Sequence, residues 1–203
     1  MKHPFFLFLL YLMTNGPLAG QTMVYEIWKD GKLVGEHNAQ RICHGDTCLY
    51  LFKSKINMRI IISINATSQL QSSYKGGILQ DGFVRVWREG KLRESGYLKY
   101  DEGYGYFVDL DGRSKIFYSK GIRFSVVMLY HNEPKGYTHV FSERYGKWLE
   151  LTKVSEGVYE LDLPMGNKNI YTYKDGKCVS VEIDHALTTL ICKLKGAPPV
   201  AKE

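Results

Sequence analysis

The chain has 203 residues, a formal net charge of +6, 44% hydrophobic residues and 13% aromatics. That is enough for one domain with its own core, and the ordinary apolar share excludes a disordered or collagen-like chain. The basic excess is small and scattered, with Glu89 and Glu94 set among Arg85, Arg88, Lys91, Arg93 and Lys99, so no nucleic-acid partner is expected.

Lys2 and His3 form a short basic start, Phe5–Met13 is an apolar run, and Asn15-Gly16-Pro17 breaks it. With the small residues Leu18-Ala19-Gly20 behind it, segment 1–20 reads as a signal peptide cleaved before Gln21. The apolar run is too short to cross about 30 Å of hydrocarbon. The mature chain is therefore expected to be exported, periplasmic or secreted, and not membrane-spanning. Residues 21–195 form one β domain in this reading, and 196–203 a frayed polar tail.

From Thr22 onward side chains alternate with period two, and turn pairs recur at Asp30-Gly31, Glu89-Gly90, Asp111-Gly112 and Asp175-Gly176. Strands are predicted near 22–29, 32–42, 48–56, 58–65, 68–75, 78–88, 91–99, 104–110 and 113–119. In the hairpin turning at Glu89-Gly90, Arg85 would oppose Glu94. Ile122, Val126, Leu129 and Tyr130 then switch to helical spacing, and Pro134 ends it, predicting a short helix over 121–131. Strands resume near 137–142, 147–154, 157–163, 169–174, 177–183 and 187–194. Short connections throughout imply an all-β antiparallel meander, a strongly twisted open half-barrel or β-roll.

Four cysteines behind an export signal are expected to pair. Cys43 and Cys48 flank the loop His44-Gly45-Asp46-Thr47. In the last hairpin, counting outward from Ile183 opposite Leu187 brings Cys178 opposite Cys192. The expected disulfides are Cys43–Cys48 and Cys178–Cys192. Zinc on Cys43, His44 and Cys48 is the weaker reading, since no second compact pair completes the ligand set.

Several residue groups carry a resemblance. They are Val34-Gly35, Ser125, Leu129-Tyr130, Glu133-Pro134, Val140-Phe141-Ser142, Tyr159-Glu160-Leu161, Leu163-Pro164 and Asn169-Ile170-Tyr171-Thr172-Tyr173 before Gly176-Lys177-Cys178. Together they resemble a family of exported Gram-negative proteins described only as a domain of unknown function. More distantly, the hairpin-helix-meander plan is similar to periplasmic lipoprotein carriers, in which a half-barrel wraps a short helix. That likeness implies an apolar groove at Ile122, Val126, Leu129 and Tyr130, and it brings no catalytic residues.

No nucleophile elbow, phosphate loop, dinucleotide fingerprint or metal-binding histidine motif is present, so no cofactor is expected. His131 and His139, with Glu133 and Glu143 nearby, form the one cluster for acid–base or metal chemistry, and Ser125 is a conceivable nucleophile beside them. Both histidines flank a Pro-containing connection, where exposure and a low cost of substitution are expected. Asp109-Leu110-Asp111 reads as a hairpin turn, not a calcium site. The 15 tyrosines suit half-buried strands, with a ligand-lining role as the alternative. The leading expectation is non-enzymatic binding of a lipid, another amphiphile or an envelope protein. A structural module without a cavity comes second, and a hydrolase using His131 and His139 third.

Overall fold

The protein is described by a computed structural model covering residues 19–59, 63–117, 120–185 and 188–197. The predicted leader thus lies outside the described residues except for Ala19 and Gly20, which open the first strand.

Alternation of inward and outward side chains runs through fourteen strands among the described residues. They are β1 (Ala19–Lys29), β2 (Lys32–His44), β3 (Thr47–Arg59), β4 (Ser63–Lys75), β5 (Ile78–Arg88), β6 (Lys91–Asp101), β7 (Gly105–Leu110), β8 (Arg113–Phe117), β9 (His139–Ser142), β10 (Lys147–Ser155), β11 (Val158–Asp162), β12 (Lys168–Lys174), β13 (Lys177–His185) and β14 (Thr188–Leu194). They make one antiparallel sheet in the order β8-β7-β6-β5-β4-β3-β2-β1-β14-β13-β12-β11-β10-β9. First and last strands lie side by side at its centre, and β8 and β9, consecutive in sequence, are its two edges. The predicted turn pairs behave as the hairpins require: Asp30, Glu89, Asp111 and Asp175 and the glycine after each all take positive φ.

The sheet curls without closing into a barrel. Its edges approach through side chains: Phe117 at the end of β8 stacks on Phe141 of β9, with centroids 5.6 Å apart. Arg144, just past β9, donates two hydrogen bonds of 2.7 Å to the Glu94 carboxylate on β6. That pairing replaces the expected one with Arg85, because a bulge between Val86 and Trp87 sets Glu94 opposite Val86.

Two long strands, β3 and β4, stand where three short ones were predicted. The break expected at 66–67 between two of them is absent: pairing runs unbroken from Thr47↔Lys75 to Arg59↔Ser63. The Asn65 backbone N–H and side-chain amide both donate to the Glu89 carboxylate, so the residue's polar groups are met within the strand.

The predicted helix shrinks to a 3-10 turn, Val126–Tyr130. Upstream, the Ile122 carbonyl accepts from the Leu79 N–H and the Phe124 carbonyl from the Phe141 N–H, while the Ile122 N–H donates to the Tyr106 hydroxyl. These partners hold the segment extended, and β-branched Val126 and Val127 favour helix less. Segment 120–138 therefore crosses the inside of the curl mostly without helix.

The last hairpin is also corrected. Val181 opposes Cys192 and His185 opposes Thr188, three positions away from the expected register. A bulge against β12 leaves Val179 without a partner, so Cys178 and Val181 both turn inward. Cys178 and Cys192 are consequently free thiols buried in the core, not the expected disulfide. The other pair meets the expectation: Cys43 and Cys48 are directly opposed on β2 and β3 and disulfide-bonded.

Candidate functional site

Ser72 and Tyr74 are alternate inward residues of β4, Ser125 immediately precedes the 3-10 turn, and Glu143 follows β9. The hydroxyls of Ser72 and Ser125 donate to the same oxygen, Glu143 Oε1, at 2.8 and 2.5 Å. The Tyr74 hydroxyl donates to Ser125 Oγ at 2.6 Å. Glu143 is 2% exposed, Ser72 and Ser125 are fully buried, and Glu143 Oε2 has no hydrogen-bond partner among the described residues. Burial raises the Glu143 pKa from its ordinary 4.5, against the lowering effect of the hydroxyls it accepts from.

An aromatic ladder leads from this cluster to His131, whose ring meets Tyr50 edge-on at 5.6 Å, as Tyr50 meets Tyr74 at 5.5 Å. His131 is 6% exposed, and neither ring nitrogen has a hydrogen-bond partner among the described residues. Burial first, then the nearby Arg41 charge, lowers its pKa to about 4. His139 lies exposed on β9, in contact with Thr138 Oγ1. Glu133 accepts from the Tyr159 hydroxyl and pairs with Lys135. The expected His131–His139–Glu133 grouping is therefore not assembled, and no group of three or more His, Cys, Asp or Glu side chains suited to a metal occurs among the described residues. Of the residues singled out from sequence, the fold joins Ser125 and Glu143.

The expected groove is filled. Ile122 and Leu129 are fully buried, Tyr130 is buried and Val126 half-buried. The Tyr130 ring packs against Phe52 at 4.8 Å, Tyr25 at 5.4 Å and Tyr171 at 6.0 Å. Tyrosine hydroxyls then fasten the crossing backbone: Tyr173 donates to the Leu129 carbonyl at 2.6 Å, and Tyr25 is shared between the Tyr130 and Cys178 carbonyls. This is why a core so rich in tyrosine stays satisfied. One inward residue was missed from sequence. His37 on β2 lies between Phe52 and Tyr130, at 5.0 and 6.3 Å, and is 3% exposed with neither nitrogen partnered among the described residues. Its parity with buried Ala39 was the available signal.

Residues 25–195 match the family model described as Domain of unknown function (DUF6134). The chain belongs to the DUF6134 family. The match runs from within β1 to one residue past β14, so the DUF6134 unit is the whole curled sheet. Among solved structures, the DUF6134 chain is similar to the crystal structure of a beta-barrel-like protein of domain of unknown function DUF1849 from Brucella abortus. That match has 13% identity and a TM-score of 0.47, covering 87% of this chain and 96% of the other. No curated protein matches. The likeness to lipoprotein carriers gains no support from these similarities.

In this DUF6134 sheet the Ser125–Glu143 pair is a crosslink between the crossing segment and the strands around it. Its hydroxyl faces a carboxyl without an imidazole partner, and both groups are sealed from solvent. The folded protein binds the Glu143 proton more tightly than the unfolded chain. The corresponding stability is full below about pH 4.5 and lost as pH rises toward the raised folded value. Glu143→Gln keeps an acceptor and removes the charge. Its denaturation midpoint should exceed wild type at pH 8 and match it at pH 4, each tenfold difference in proton affinity being worth about 1.4 kcal/mol. A pH-independent difference would show that the carboxyl is not the cause.

Proposed function

We propose that this DUF6134 protein is an exported, non-enzymatic β-module that binds a polar component of the cell envelope on its outer face. The observation that carries this reading is the packed interior, where Ile122, Val127, Leu129 and Phe141 are buried together with the Ser125–Glu143 pair. The Cys43–Cys48 disulfide supports an oxidising compartment. No helix among the described residues is long and apolar enough to cross a membrane. Outside, strands β1 to β4 form an open depression of about 970 Å³ whose lining includes Glu26, Glu36, Asn38, Lys53, Lys55 and Gln69. The Lys53 and Lys55 ammonium groups beside the Glu26 and Glu36 carboxylates offer ionic contacts to a hydrated, charged partner.

Two measurements test the reading. Solvent extraction of the natively purified protein followed by mass spectrometry should return no amphiphile at one per chain, and a stoichiometric lipid would overturn the filled interior. The mature protein should co-sediment with isolated cell envelopes, and Lys53→Glu with Lys55→Glu should weaken this severalfold. Absence of wild-type co-sedimentation would remove the surface role.

A further inference from the structure

We infer that the crossing segment is latched into the sheet by His37 and His131, both of which fit only as neutral rings, so that acid lifts Val126–Asn132 out of the curl. Tyr130 and His131 are consecutive, and the two imidazoles hold that end of the segment from different sides. His37 reaches it from β2 against the Tyr130 ring, and His131 projects from the segment itself onto Tyr50 of β3. A protonated imidazole carries two N–H donors and a charge. In these pockets, buried and without a hydrogen-bond partner for any of the four ring nitrogens among the described residues, such a cation meets aromatic rings but no acceptor and no carboxylate.

The groups facing each ring do not rescue it. Around His37 stand Tyr25 across from it on β1, Ser54 across from it on β3, Phe52 and Tyr130, all uncharged, since burial pushes the Tyr25 and Tyr130 hydroxyls above their ordinary pKa. Around His131 stand the Tyr50 ring and Arg41, whose charge opposes protonation. Burial accordingly lowers the His37 pKa to about 3 and, with Arg41, the His131 pKa to about 4. Glu143 works in the opposite direction: it is bonded to Ser125, whose backbone is bridged to Phe141 behind the moving part, and it also meets the backbone of Val127 at the start of that part.

What would move is held by its packing and by side-chain bonds, not by helix of its own. A five-residue 3-10 turn has little stability of its own. Val126–Asn132 has internal bonds from the N–H groups of His131 and Asn132 to the Met128 carbonyl. Neutral tyrosine hydroxyls hold the Leu129 and Tyr130 carbonyls. Once open, each histidine titrates near its ordinary 6.5. The closed state is therefore fully favoured above that pH and loses ground as pH falls toward about 4, because the open state binds more protons. At pH 5 the loss is at most about 30-fold per histidine and about 1,000-fold for both.

Hydrogen exchange of the mature protein, read by mass spectrometry and corrected for intrinsic chemical rates, tests this directly. Between pH 7 and pH 5, protection of the 126–132 amides should fall relative to a His37→Phe/His131→Phe variant by up to about 1,000-fold, while β3 and β4 amides stay protected in both. The comparison with the variant cancels any contribution from Glu143. Equal pH dependence in the two proteins would overturn the proposal, as would loss of β3 and β4 protection at the same pH. Should the double variant fail to fold, each single Phe variant must halve the logarithm of the change, and singles indistinguishable from wild type would equally overturn it.

Discussion

Leu129→Ala should destabilise the protein by about 2–5 kcal/mol, the cost of removing a buried leucine and leaving the space it filled. Leu129 is fully buried and lies in the core cluster with Tyr25, Tyr130, Tyr171, Cys178 and Cys192. Its surroundings cannot collapse easily, because its own carbonyl is pinned by Tyr173 and the next one by Tyr25. Against a total of about 5–15 kcal/mol for an ordinary domain, the change should be plain in a urea melt at pH 7. A loss under 1 kcal/mol would mean that the crossing segment merely rests on the sheet and contributes little to it.

Gly35→Ala is the second large effect, about 3 kcal/mol in the same measurement. A Cβ at this position would lie 2.2 Å from the Lys55 carbonyl oxygen and 3.0 Å from Ile56 Cα, both backbone atoms of the neighbouring strand. Ile27 Cδ1, 3.1 Å away, closes the remaining side. The clash can be relieved by parting β2 from β3 where Gly35 pairs with Ile56. Wild-type stability in this variant would show that the strands separate there at little cost.

Much of the architecture was legible because a strand with one buried face writes its period into the chain. The Asp-Gly and Glu-Gly turns and the Cys43–Cys48 pairing were readable because each depends on residues close together in sequence. Errors came where one inserted residue changes the parity. The bulge at Val179 sends Cys178 inward, and neither its residue type nor its neighbours announce it. The extra residue Arg93, unpartnered between Leu92 and Glu94, likewise moved Glu94 away from Arg85. The helix over 121–131 failed for a different reason: apolar spacing was present, but partners on β5, β7 and β9 claim the backbone of Ile122 and Phe124. Ser125 and Glu143 were both readable only as neighbours of His131 and His139, and their direct meeting required knowing that β9 folds back beside the crossing segment and opposite β4. The expected exposure of His131 failed with it, since a residue next to a loop is buried when that loop runs through the interior.

The strand order also constrains how the molecule is made. Tyr25 pairs with Leu194 and Trp28 with Ile191, so among the described strands the seam at the middle of the sheet is the one pairing that joins the first to the last. A chain synthesised or threaded from its N-terminus can add β2 through β8 in turn while one flank of β1 keeps its backbone N–H and C=O groups unpaired. Such a flank is a template for any other extended segment, and closing it late, across a long sequence separation, is slow. Newly made molecules should therefore pass through a stage in which self-association competes with completion, and a truncation that removes β14 should aggregate even though every other hairpin remains intact.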